Sequence, residues 1–80
     1  MSISVADQVR EILSDVLEIS PDGITESLSS DTCEEWDSER HISVILSIEE
    51  RFGITFAETE FLEVLSFVAL CAAVTRKLGQ

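Results

Sequence analysis

Three stretches of the chain place apolar residues three or four positions apart, and this spacing restricts the fold more than any other feature. Such a spacing puts the apolar side chains on one face of a helix. One amphipathic helix cannot bury its apolar face alone, so three of them predict an all-α helical bundle. The first stretch carries these residues at Val5, Val9, Ile12, Leu13, Val16 and Leu17.

The first helix is predicted from about Ser4 to Glu18, with Ser4 and Asp7 in the spacing of an N-terminal cap. The Ser-Pro-Asp-Gly sequence at 20–23 is a turn signal that ends it. The polar stretch at 24–36 shows no regular period, and we predict a long loop anchored by Ile24 and Leu28. A loop of this length in a small domain is often functional.

The second helix is predicted to begin at Ser38, with Asp37 as its cap and Glu39 in its first turn. Gly53 suits the position just past its end. Its buried stripe is expected at Ile42, Ile45, Ile48 and Phe52, with Val44 and Leu46 at the margins and Glu49, Glu50 and Arg51 facing water.

After Gly53 the sequence predicts an extended connector at 54–56, in which Ile54 and Phe56 are buried, followed by two more helices. A short helix is expected around Glu58 to Leu62. The last helix begins after Ser66 and is expected to bury Val68, Cys71, Val74 and Leu78. The pattern is three main helices plus one short helix in a single domain over residues 1–80.

Length and charge narrow the classes of function. Eighty residues form a modest core, which disfavours an enzyme with an enclosed substrate cavity. Sixteen acidic against five basic residues give a net charge of −11, which repels nucleic acids and anionic lipids and favours basic partner surfaces. The chain shows no signal peptide, and its longest apolar run, 67–74, is too short to insert into a membrane. We therefore expect a cytoplasmic monomer.

Four side chains carry individual expectations. Cys71 lies in an apolar stretch and is expected in the core, whereas Cys33 lies in a polar segment and is expected at the surface. Trp36, the only tryptophan, either packs the loop onto the bundle, which we favour, or lines the surface beside the second helix. His41, near a helix start, is expected to be a polar surface residue.

Two segments carry a family resemblance. The chain reads Trp-Asp-Ser-Glu-Arg-His-Ile at 36–42 and Ile-Glu-Glu-Arg-Phe-Gly-Ile-Thr-Phe at 48–56. This pattern resembles the acyl carrier protein family, in which an Asp-Ser pair opens the second helix and a helix ending in Glu-Glu-x-Phe precedes a short apolar connector. Helix order and loop lengths extend the resemblance over nearly the whole chain.

The resemblance implies that Ser38 is the attachment point of a covalent 4′-phosphopantetheine arm, transferred from coenzyme A by a phosphopantetheinyl transferase. Independently, a serine at a helix start is exposed, and a phosphodiester placed there meets free N–H groups and the positive end of the dipole. Asp37 would serve both as the cap and as a contact for the transferase. The alternative to a surface position for His41 is that it packs beside this arm. The competing interpretation is that Ser38 is an ordinary helix-start serine.

The chain departs from the family where Glu39 replaces the usual leucine after the serine. The implied docking surface for enzymes that load and use the cargo keeps Glu39, Glu49 and Glu50 but is interrupted by Arg40. This favours a carrier of acyl or aminoacyl thioesters in a dedicated lipid, polyketide-like or envelope pathway. The alternative is an unmodified acidic adaptor that binds partner proteins and carries nothing.

Other chemistries fit less well. Ser38 and His41 share a helix face beside Asp37, but no nucleophile elbow or oxyanion loop accompanies them, so a hydrolase is disfavoured. The cysteines and the histidine lack the spacing of a zinc site, and we predict no metal site. In the family the interior can part to admit an acyl chain, and the sequence leaves open whether it does so here.

Overall fold

The computed structural model describes residues 4–79 and is an all-α bundle. Its helices are α1 (Val5–Leu17), α2 (Ser38–Phe52), α3 (Glu58–Glu63) and α4 (Phe67–Leu78), with a 3-10 turn at Pro21–Gly23. Helix α1 packs against both α2 and α4. The prediction of three main helices and one short helix is therefore confirmed.

Local chemistry sets the helix ends. The Asp7 N–H donates to Ser4 Oγ at 3.1 Å, and the Ala69 N–H donates to Ser66 Oγ at the same distance. Gly53 ends α2 with a φ of 66°, a left-handed conformation that costs glycine little. The predicted boundaries hold to within a residue because each cap depends only on neighbours in sequence.

The buried stripe of α2 differs from the predicted one. His41, Val44, Ile45 and Ile48 are buried, whereas Ile42 is 48% and Leu46 58% exposed. Placing Ile42 in the core and Val44 at the margin was wrong. Steps of three residues drift around a helix of 3.6 residues per turn, while the spacing 41, 44, 45, 48 stays on one face.

The stripe of α4 is also rotated from the prediction. Its buried residues are Phe67, Leu70, Ala73 and Val74. Val68 and Leu78 are 50% and 47% exposed, so placing them in the core was wrong. Cys71 is only half-buried. Desolvation in this position raises the pKa of the Cys71 thiol above its ordinary value, so it stays protonated.

The loop between α1 and α2 folds back onto the bundle. The Ser30 N–H donates to Leu65 O at 2.8 Å, and the Phe67 N–H donates to Leu28 O at 3.1 Å. Ile24 is buried as expected and Leu28 is half-buried. Cys33 is only 7% exposed, so the expectation that it lies at the surface was wrong. The loop therefore packs on the bundle and places Trp36 beside the start of α2.

Within residues 4–79, every helix is too short or too polar to traverse a lipid bilayer.

Helix α3 has no fully buried residue, and ion pairs tie it to the end of α4. Glu60 lies 2.8 Å from Lys77 Nζ and 3.3 Å from Arg76 Nη2. The Glu60 carboxylate also accepts the Ala57 N–H at 2.8 Å. The Ala57 hydrogen bond, followed by the Lys77 contact, lowers the pKa of Glu60 from 4.5 to about 2.

This shift predicts that α3 loosens in acid. Because the pKa of Glu60 is lower in the folded state, its stabilisation is complete above pH 4.5 and is lost as the pH falls towards about 2. We expect the free energy of unfolding of the native chain to exceed that of Glu60→Gln by a constant amount near neutral pH. The difference should shrink below pH 4.5, as measured by urea unfolding across a pH series. A difference that is unchanged throughout the acid range would contradict the prediction.

Candidate functional site

Ser38 occupies the first position of α2, and its side chain is exposed. Asp37 Oδ1 accepts the Arg40 N–H at 2.9 Å, which caps the helix. Within residues 4–79, neither Ser38 Oγ nor the N–H groups of Ser38 and Glu39 have a hydrogen-bond partner. The hydroxyl therefore points to solvent beside two free donors and the positive end of a fifteen-residue helix. These features fit a phosphodiester on Ser38 Oγ.

A cleft of about 440 Å³ opens beside Ser38, between the start of α2 and α3. Asp37 and Ser38 lie at one side of this cleft, and the rest of its lining is mostly apolar. The lining residues besides these two are Ser30, Trp36, His41, Ile42, Phe61, Leu62 and Leu65. A group attached at Ser38 would thus have an apolar surface within reach.

Trp36, His41 and Phe61 are joined by hydrogen bonds into a unit that we call the latch. Trp36 Nε1–H donates to His41 Nδ1 at 3.0 Å, and His41 Nε2 lies 2.7 Å from Phe61 O. An indole N–H can only donate and a carbonyl oxygen can only accept, so the imidazole is neutral with its proton on Nε2. The His41 ring also lies 4.7 Å, centroid to centroid, from the Phe61 ring.

The latch decides two expectations from the sequence. Trp36 is 3% exposed, which confirms that it packs the loop onto the bundle. His41 is 4% exposed, so its placement at the surface was wrong. It lines the cleft beside Ser38, and the alternative that it packs beside the arm stays a prediction. Both of its nitrogens are engaged, which leaves neither to act as a base towards Ser38 and removes the remaining support for a hydrolase. Its spacing to Val44 and Ile48 puts His41 on the same face of α2, but this spacing alone does not determine which face is buried.

Arg40 points away from the outer face of α2. Its guanidinium donates to Leu17 O at 3.2 Å and to Val16 O at 3.4 Å, and it lies 3.4 Å from a Glu18 carboxylate oxygen. The cation therefore stabilises the negative end of α1, a role that the sequence did not reveal.

The outer face of α2 combines acidic ends with an apolar middle. Its exposed residues, at helical spacing, are Glu39, Ile42, Ser43, Leu46 and Glu50. Glu49 lies elsewhere: it is half-buried, and its Oε2 accepts the Phe56 N–H at 2.8 Å. Of the predicted docking residues, the structure brings Glu39 and Glu50 onto one face and uses Arg40 and Glu49 in local hydrogen bonds.

No three His, Cys, Asp or Glu side chains between Ser4 and Gly79 are grouped as metal ligands would be.

The family model for the phosphopantetheine attachment site matches residues 7–74. The chain belongs to this family. The solution structure of a holo acyl carrier protein from Geobacter metallireducens superimposes with a TM-score of 0.83 at 26% identity, over 96% of this chain and 88% of that one. No curated protein sequence matches the chain significantly. The resemblance to acyl carrier proteins is thereby confirmed, and so is the covalent 4′-phosphopantetheine that it implied.

Proposed function

We propose that this carrier bears its phosphopantetheine arm on Ser38 and delivers a thioester-bound acyl or aminoacyl group to partner enzymes. The observation that carries this proposal is the exposed, unpartnered Ser38 hydroxyl at the positive end of α2, beside an apolar cleft. The thiol of the arm supplies the thioester chemistry. The protein itself supplies attachment, presentation and docking, and is not an enzyme.

Attachment requires Ser38 Oγ to bond to the phosphorus next to the pantetheine of coenzyme A. The bond between the two phosphates breaks, adenosine bisphosphate leaves, and the serine proton passes to a base of the transferase. Asp37 is committed to capping Arg40 N–H through one oxygen, and its other oxygen is free to contact the transferase.

Docking is proposed to use the outer face of α2. Glu39 and Glu50 would meet basic side chains of loading and acyl-using enzymes, and Ile42 and Leu46 would supply apolar contact between them. Such contacts weaken as salt is raised. Glu39 departs from the family pattern, which favours a dedicated lipid, polyketide-like or envelope pathway. We further propose that the carrier works in the cytoplasm as a monomer.

Intact mass spectrometry tests the proposed function. The unmodified protein is incubated with coenzyme A and a broad-specificity phosphopantetheinyl transferase, and its mass is expected to rise by one phosphopantetheine group. Peptide mapping is expected to place the added mass on Ser38. An unchanged mass would favour an unmodified adaptor instead.

Glu39→Leu is expected to speed this modification. Burying a leucine side chain stabilises a contact by about 1.5–3 kcal/mol. Because a tenfold rate change corresponds to about 1.4 kcal/mol, we expect kcat/KM for the transferase to rise about tenfold. Glu50→Leu, which changes the same charge at the far end of the same face, is the control. Equal effects of the two substitutions would show that net charge, and not contact beside Ser38, controls the rate.

A further inference from the structure

The inner wall of the cleft beside Ser38 separates it from the hydrophobic core. Trp36 belongs to the core and Phe61 packs against it, and both also line the cleft. His41 lies between them and hydrogen-bonds to each. A group that enters the interior through this wall must move Trp36 and Phe61 away from His41.

Moving them apart breaks two hydrogen bonds at once. The buried Trp36 Nε1–H donates to His41 Nδ1. His41 Nε2–H in α2 donates to Phe61 O in α3. Each buried group left unsatisfied lowers the population of the opened form by roughly 10- to 100-fold. Each methylene moved from water into the interior favours opening by about fourfold. The cost of two unsatisfied groups thus exceeds the gain from burying roughly three methylenes and, at the upper limit, about six.

We propose that His41 is a positioning residue that keeps short apolar acyl groups in the outer cleft and out of the bundle. This proposal rests on the proposed function, because it concerns where the cargo of the arm lies. The exposed walls of the cleft are Ile42, Leu62 and Leu65, at 48%, 65% and 39% exposure. They offer apolar surface to an acyl group of a few carbons without any opening of the latch. Cargo held there stays accessible to a docked enzyme.

The chain contains one histidine and one tryptophan, so the latch gives single, assignable NMR signals. The ¹⁵N- and methyl-labelled protein is loaded at Ser38 from acetyl-, butanoyl- and hexanoyl-coenzyme A. We expect the His41 nitrogens to show the Nε2–H tautomer in every form. Methyl signals of Ile42, Leu62 and Leu65 should shift with acyl length, while those of Leu13 and Val74 in the core stay in place. Core shifts that already appear with the butanoyl group in the native sequence would overturn the proposal, because its two methylenes lie below the lower limit of the estimate.

Two variants test whether His41 is responsible. Trp36→Phe keeps a ring in the wall but removes the hydrogen bond to His41 Nδ1, and His41→Leu removes both hydrogen bonds. Both are expected to let the hexanoyl group shift the core methyl signals, and Trp36→Phe should also shift the His41 Nδ1 signal while Phe61 O keeps the proton on Nε2. Ile42→Ala, which alters the cleft but not the latch, should reduce the cleft shifts and leave the core unchanged. Core signals that stay in place in both latch variants would show that His41 does not position the cargo.

The inference and the proposed function fail separately. If the transferase leaves Ser38 unmodified, the proposed function fails. The alkyl series is then attached as maleimides to Ser38→Cys in a Cys33→Ala and Cys71→Ala background. The same core and cleft signals are measured in that protein, and a butyl group that shifts the core methyl signals would still overturn the role of the latch.

Discussion

Ser38→Ala is expected to abolish phosphopantetheine attachment completely, and with it every thioester that the carrier can hold. The substitution removes the only atom at the start of α2 that is both nucleophilic and placed beside the free N–H groups of the helix end. The fold should survive, because Asp37 and not Ser38 caps the helix. Intact mass after incubation with coenzyme A and the transferase measures the loss, and circular dichroism checks the fold.

Ser43→Ala is the matched control for this experiment. Ser43 is another exposed serine of α2, but it lies more than one turn into the helix, away from the N-terminal donors. We expect full modification of this variant. A mass increase that persists in Ser38→Ala would assign the arm to another residue and refute the proposed attachment site.

Trp36→Ala is expected to have the largest effect on stability. Truncating a buried aromatic side chain costs about 3–5 kcal/mol, and a domain of this kind has about 5–15 kcal/mol in total. The substitution also leaves His41 Nδ1 without its donor and loosens the loop that Trp36 holds on the bundle. Urea unfolding is expected to show a much lower midpoint. It is followed by circular dichroism, because the tryptophan fluorescence is lost with the side chain.

Trp36→Phe separates packing from hydrogen bonding in this result. It keeps most of the buried ring and loses only the indole N–H, so we expect a cost of about 1–3 kcal/mol, from the unpaired His41 nitrogen. The prediction for Trp36→Ala would be contradicted by a decrease of less than about 1 kcal/mol in the free energy of unfolding. That result would mean that backbone hydrogen bonds at Ser30 and Phe67 mainly hold the loop on the bundle.

Much of the candidate site could be predicted before the fold was known. The Asp37 cap, the start of α2 at Ser38 and the end at Gly53 depend on groups within a few residues of one another. A residue in the first turn of α2 lies at the positive end of the helix dipole wherever the helix packs. The likeness to acyl carrier proteins rested on the same local pattern.

The latch and the composition of the outer face of α2 could not be predicted in this way. His41 Nε2 meets Phe61 O across twenty positions of sequence, and Arg40 reaches Val16 O across twenty-four. Which charged and polar side chains turn inward depends on where the partner elements come to lie, and no local spacing encodes that. For the same reason Glu49 and Arg40 were both predicted to be surface charges. In the structure Glu49 accepts the Phe56 N–H, and Arg40 stabilises the end of α1.

By itself, then, the sequence determined the number of helices, their caps and the residue presented at the start of α2, since periodicity and capping are short-range effects. Only the tertiary structure decided which face of α2 and α4 is buried. The predicted and the observed apolar faces of each helix are offset by about one residue, and contacts with the other helices determine which of them is buried. It also decided that His41 is buried in the wall of the cleft beside Ser38, since a buried imidazole is stable only where donors and acceptors satisfy both nitrogens.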